Sequence, residues 1–186
     1  MKIEQTSITK LKLTDLKGLD PVTVFIEDHE PGKGEITFKC YGKSWSYYWG
    51  GMGAGAVIPF FLSCNDDYLA NCLWDHSRQQ YEFDGDGLEK IIKKTLLARR
   101  REGFIEKTFA RDMFDVSGWE DYMPRHTYDE WRCPMFVDED EFKEFVEDRL
   151  CDIEIPERLV GDYCYLLRII GAIKEAMMEL QQPIAA

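Results

Sequence analysis

The chain has 186 residues, 45% of them hydrophobic and 31% charged, which is the composition of a folded globular domain and excludes a disordered one. A chain of this length buries roughly 70% of the surface its unfolded form exposes, so it needs no disulfide or metal staple to fold. Its formal net charge is −12, and no apolar stretch approaches the roughly 18 residues of a spanning helix, which argues against a membrane protein.

The acidity is unevenly placed. Residues 1–103 carry 14 Lys+Arg against 15 Asp+Glu, whereas residues 104–186 carry 9 against 20. A phosphate backbone is gripped by Lys and Arg, so direct nucleic-acid binding by the second half is disfavoured. A cationic protein surface is the better electrostatic match. The opening segment Met1-Lys2-Ile3-Glu4-Gln5 has no apolar signal region, and a cytoplasmic location is expected. The six cysteines, Cys40, Cys64, Cys72, Cys133, Cys151 and Cys164, form no Cys-x-x-Cys pair and sit mostly among apolar residues. They are expected to be reduced, buried thiols.

Taken in chain order, the first fifty residues predict strands. Ile8, Leu11 and Leu13 begin an imperfect alternation; Val22, Val24 and Ile26 alternate cleanly; Glu30-Pro31-Gly32-Lys33-Gly34 is a turn. Ile36, Phe38 and Cys40 resume the alternation, Gly42 breaks it, and Ser44 to Trp49 continues it. The expectation is an antiparallel β-meander of three or four strands with one face buried. Trp45 and Trp49 share parity, which places both on that buried face.

Gly50-Gly51-Met52-Gly53-Ala54-Gly55 then marks a change of character. Residues 57–74 predict a helix interrupted by Pro59 and restarted near Asn65, and Asp84-Gly85-Asp86-Gly87 predicts a loop. Leu88, Ile91, Ile92 and Leu96 stripe a strong helix over 88–101 whose other face is basic, with Gly103 as its C-cap. Ile105 to Phe114 predicts a short helix, and 118–135 an irregular aromatic-rich connection including Tyr128. Asp138 opens an acidic helix with Glu141 as capping partner. Pro156 is expected to start the last helix, with Leu159, Tyr163, Leu166, Leu167, Ile170, Ile173 and Met177 inward, and Pro183 to end it. The fold class is α+β: the meander followed by a C-terminal set of four to six helices. It forms a single domain, 1–186, with a β-rich lobe at about 1–55 and a helical, acidic lobe at about 56–186.

Catalytic chemistry is hard to assemble. The neutral-pH bases are His29, His76 and His126, and no Ser or Cys lies in a nucleophile elbow. Cys64, Cys72 and His76, with Cys40, offer thiolate and imidazole ligands, but the Cys-x7-Cys-x3-His spacing matches no closed zinc site. Asp66-Asp67 could hold a metal, yet acids also suit a helix N-terminus. The glycine turn lacks both the P-loop Lys-Ser/Thr and the dinucleotide Gly-x-Gly-x-x-Gly spacing. Trp45, Tyr47, Tyr48 and Trp49 could stack bases, but only Lys43 flanks them, so strand packing is the stronger account. The basic face of 90–101 is the segment that could meet nucleic acid. Simple solvation, or pairing of Lys90, Lys93 and Arg100 with the acidic helix, is favoured over that.

The segments Ile8-Thr9-Lys10-Leu11, Gly18-Leu19-Asp20-Pro21-Val22 and Pro31-Gly32-Lys33-Gly34 carry a resemblance, as do Gly42-Lys43-Ser44-Trp45 and Trp49-Gly50-Gly51-Met52-Gly53. The chain resembles an uncharacterised family of small early-region accessory proteins of temperate tailed phages and enterobacterial prophages, most densely over about residues 1–75. The resemblance implies a role in phage accessory biology in the cytoplasm of a bacterial host cell, and it transfers no functional residue. The favoured reading is a non-enzymatic accessory protein that binds and modulates a host or phage protein, with a nucleic-acid-binding enzyme as one kind of partner and DNA mimicry or host-defence antagonism as variants. Its expected contact residues are Asp138, Glu139, Asp140, Glu144, Glu147 and Asp148 on the acidic helix, with Trp119, Tyr122 and Trp131 beside it. No catalytic residue, cofactor or metal is expected. Two alternatives stand: a small-ligand or nucleotide-binding protein or enzyme using the Gly50–Gly55 turn, and nucleic-acid binding through 90–101.

Overall fold

The computed structural model describes residues 2–3, 5–124, 130–150 and 153–181. Its N-terminal sheet has four antiparallel strands in the order β1 (Thr9–Leu13), β2 (Val22–Glu30), β3 (Lys33–Cys40) and β4 (Lys43–Trp49). The expected meander is therefore present with four strands. The alternation decides the faces: Val22, Val24 and Ile26 of β2 pair in register with Cys40, Phe38 and Ile36 of β3, and all six are buried. Six α-helices follow among the described residues, so the fold class is α+β as the periodicity indicated.

The chain forms two compact units. Unit 1 comprises residues 1–80 and 159–186. It contains the sheet, α1 (Val57–Ser63), α2 (Asp66–Leu73) and α6 (Gly161–Gln181), all sharing one core. Unit 2, Tyr81–Arg158, is inserted in sequence between α2 and α6. The division differs from lobes drawn at about residue 55, because α1, α2 and α6 spend their apolar faces on the sheet and only the inserted segment builds a second core.

Several local expectations are corrected. Pro59 does not interrupt the first helix: it lies in the first turn of α1, where its missing N–H is unneeded. The break falls at extended Cys64, and the Asn65 side chain then caps α2 by accepting from the Tyr68 N–H at 2.7 Å. Residues 84–87 are a helix start and not a loop. The Asp84 carboxylate accepts from the Gly87 N–H at 3.0 Å, opening α3 (Gly85–Glu102), which Gly103 ends in the left-handed conformation. Pro156 begins no helix. It precedes a short strand, β6 (Glu157–Leu159), which pairs with β5 (Tyr81–Phe83). Within α6, Ile169 is buried and Leu167 only half-buried. Pro183, Tyr128, His126 and Cys151 lie outside the described residues.

Unit 1 is tied together by polar contacts that reach across its elements. Lys174 of α6 donates to the Cys64 carbonyl and to Asp66, both at 2.6 Å, so Asp66 is held by a cation of the same unit. The Tyr165 hydroxyl lies 3.3 Å from Cys40 Sγ and donates to Asp20 Oδ2 at 2.9 Å. Those bonds, with partial burial, push its phenol up to about 12 and keep it a neutral donor.

Candidate functional site

The acidic helix is α5 (Glu139–Phe145), continued by one wider π-type turn, Val146–Leu150. Asp138 caps it by accepting from the Glu141 N–H at 3.0 Å. Phe142, Phe145 and Leu150 are buried against Leu88, Ile92 and Leu96 of α3 and Phe109 and Met113 of α4 (Lys107–Phe114). That packing turns Asp138, Glu139, Asp140, Glu144, Glu147 and Asp148 to solvent. Unit 2 carries 13 Lys+Arg against 22 Asp+Glu, whereas unit 1 carries 10 against 13, so the acidity belongs mainly to the inserted unit.

The expected surface residues divide sharply. Asp148 pairs with Arg99 of α3, whose guanidinium also meets Glu102 at 3.3 Å and covers the Phe104 ring at 3.9 Å. Pairing of the basic and acidic helices thus occurs, but among the described residues it runs through Arg99 and not through Lys90, Lys93 or Arg100. Lys93 is engaged within α3 by Glu89 at 2.7 Å and lies over Phe114. Trp119 corrects the sequence reading most: it is fully buried in the unit 2 core, with its ring centre 6.0 Å from Tyr122 and 6.4 Å from Trp131. It has no surface to offer a partner. Tyr122 and Trp131 are half-buried against it and retain an exposed side.

Between the α3–α4 connection and α5 lies a cleft of about 240 Å³. Phe104, Phe109 and Phe145 give it apolar walls, and Glu106, Glu141 and Glu144 bring carboxylates to it. Burial, together with Asp138, Glu106, Glu144 and Asp112, pushes the Glu141 carboxyl above the usual carboxylate range. A raised carboxyl stabilises the fold at low pH, and that contribution is lost as pH rises through its folded pKa. Glu141→Gln is therefore expected to raise the melting temperature at neutral pH, with the gain fading as pH falls through and below the ordinary Glu pKa of about 4.3. Thermal melts of the two proteins across that range check it. A loss of stability at neutral pH would mean that Glu141 is held by a cation.

A second cleft, of about 470 Å³, lies in unit 1 beside β4 and is lined by Trp45, Trp74, Asp75 and Arg78. Its charges are satisfied internally: Asp162 meets Lys43 at 2.8 Å and Arg78 at 3.8 Å, and Arg78 meets Asp75 at 3.6 Å. The glycine turn is likewise used by the fold. Gly32 N–H donates to the Gly55 carbonyl at 3.1 Å, and Met52 N–H to the Gly32 carbonyl at 2.8 Å. Gly32 has φ +80°, and a Cβ there would meet the Gly53 oxygen at 1.8 Å, so close backbone approach explains these glycines. Trp49 and Met52 are buried in the core while His76 is exposed, so they do not share a pocket.

Cys64, Cys72 and His76 do not converge as a ligand set. Among the described residues, the donors that do are Glu27, His29 and Glu35. The Cys64 thiol is pushed up by burial, which opposes the thiolate a metal would need. Sequence spacing gave no hint of the Glu27–His29–Glu35 set, because the pairing register of β2 and β3 is what assembles it.

An antiparallel sheet backed by three helices, with an acidic helical unit inserted in sequence, defines an α+β protein. The chain belongs to a phage family: the family model Phage_phiTE_072, described as a phage family, matches residues 1–179. No curated protein and no solved structure matches the chain. Among the described residues, no helix is long and apolar enough to cross a membrane.

Proposed function

We propose that this phage-family protein is a non-enzymatic accessory factor that binds a cationic surface of a host or phage protein through the acidic side of α5. The observation that carries this reading is the group Asp138, Glu139, Asp140 and Glu144. All four are exposed, and none forms an ion pair among the described residues. Glu147 and Asp148 extend the acidic run, and Tyr122 and Trp131 offer partly exposed aromatic rims. A protein built to grip nucleic acid presents Lys and Arg to phosphates, and carboxylates in this density occupy the same cations. In this reading the protein acts as an acidic mimic against a nucleic-acid-binding enzyme, an action suited to antagonising host defence.

The test uses the partner recovered by affinity capture from the bacterial host. Glu139→Lys combined with Glu144→Lys leaves the buried stripe Phe142–Phe145–Leu150 untouched, and exposed charge changes cost little stability. Asp148 is left in place because its reversal to Lys would break its pair with Arg99 and set two cations against each other. The double variant is expected to stay folded and to bind at least tenfold more weakly at low salt. The difference should shrink as ions screen charge over about 8 Å at physiological ionic strength. Equal affinity of the two proteins at low salt would remove α5 from the interface.

A further inference from the structure

We infer that Glu27, His29 and Glu35 form a binding site for one divalent transition-metal ion on the outer face of the four-stranded sheet. The register of β2 and β3 sets Glu27 directly opposite Glu35. Like charges facing each other across a strand pair are destabilising, so this pairing calls for a cation between them.

The backbone supplies a third donor at that point. The β2–β3 ladder shifts register between Asp28 and Glu30, which leaves His29 as the additional residue of a bulge. Asp28 is exposed but turns towards α1, its Oδ1 accepting from the Val57 N–H at 2.7 Å. His29 lies on the opposite side, with Nδ1 3.7 Å from Glu27 Oε1 and Nε2 4.0 Å from Glu35 Oε2. One donor atom from each of the three residues falls within 4.8 Å of the other two. A tetrahedral ion at about 2.1 Å from each donor needs them about 3.4 Å apart, so side-chain shifts of roughly an ångström close the site.

The surroundings support the assignment. Thr6 donates to Glu27 Oε1 at 2.8 Å, orienting that carboxylate as an outer-shell partner orients a metal ligand. The Tyr48 ring, 5.8 Å from the imidazole, limits its swing on one side. One imidazole with two carboxylates suits zinc and neighbouring ions of intermediate softness, and the partly exposed position leaves room for water to complete the coordination.

The probe is zinc chloride, titrated calorimetrically into the full chain and followed in parallel by amide shifts in nitrogen-15 spectra. One ion per chain is expected, with shifts centred on residues 27–35 and Tyr48. His29→Ala and Glu35→Gln should each weaken binding at least tenfold. Glu35→Gln keeps the side-chain shape while removing one of two facing charges, so it preserves the hairpin even if His29→Ala disturbs it. Unchanged affinity in Glu35→Gln, shifts centred on the cysteines, or no binding by the natural chain would each overturn the assignment.

Discussion

Alanine at Trp49 is expected to cost unit 1 about 3–5 kcal/mol, enough to unfold much of it at ordinary temperature. Trp49 is 5% exposed and ends β4 against α1, with its ring 5.5 Å from Phe60 and 6.3 Å from Phe61 in edge-on contacts. Removing the indole takes away that packing and leaves a cavity that β4, held by its ladder to β3, cannot collapse to fill. Trp45→Ala should cost less, about 1–2 kcal/mol, because its half-buried ring packs on Phe38 at 5.4 Å with one side open to the cleft beside β4. Denaturant unfolding followed by far-ultraviolet circular dichroism ranks the two. A Trp49→Ala midpoint equal to that of the natural protein would place the ring outside the core.

That ranking shows how far the sequence could be read. Parity correctly put Trp45 and Trp49 on one face, because side chains alternate along a strand. Parity cannot say how deeply a position on an edge strand is covered, and that depends on where α1 and α2 land. The meander was legible for the same reason: Val22, Val24, Ile26, Ile36, Phe38 and Cys40 repeat at two. The fully exposed, three-residue β5 had no such repeat to find. Proline misled twice through one ambiguity. A proline breaks a helix interior but suits its first turn, and only the neighbouring caps decide which applies. At Pro59 the helix continues; at Pro156 a strand follows.

The candidate site was partly legible. The Asp138 cap, the stripe Phe142–Phe145 and the acidic outer side of α5 all follow from helical spacing. Which carboxylate is consumed by a cation was not legible, because Arg99 and Asp148 are far apart in sequence and meet only through tertiary packing. Glu27, His29 and Glu35 are hidden in the same way. They straddle a turn, and the bulge at His29 cannot be placed without the ladder.

Trp119 carries the second large expected loss, and it separates a core role from an interface role. Trp119→Ala should cost unit 2 about 3–5 kcal/mol, since the indole is fully buried among the apolar faces of α3, α4 and α5. An interface anchor would behave differently, weakening partner capture while the free protein kept its stability. Amide hydrogen exchange distinguishes the two. The amides of Leu88, Ile92 and Leu96 in α3 and of Phe142 and Phe145 in α5 should lose protection, because they share the core that Trp119 fills. The amides of Val24 and Phe38, which belong to the separate core of unit 1, should retain theirs. Undiminished protection across unit 2, together with weaker capture, would return Trp119 to the partner-facing surface. The expected pattern leaves recognition to the carboxylates of α5 and makes the aromatic cluster the support that holds that helix in place.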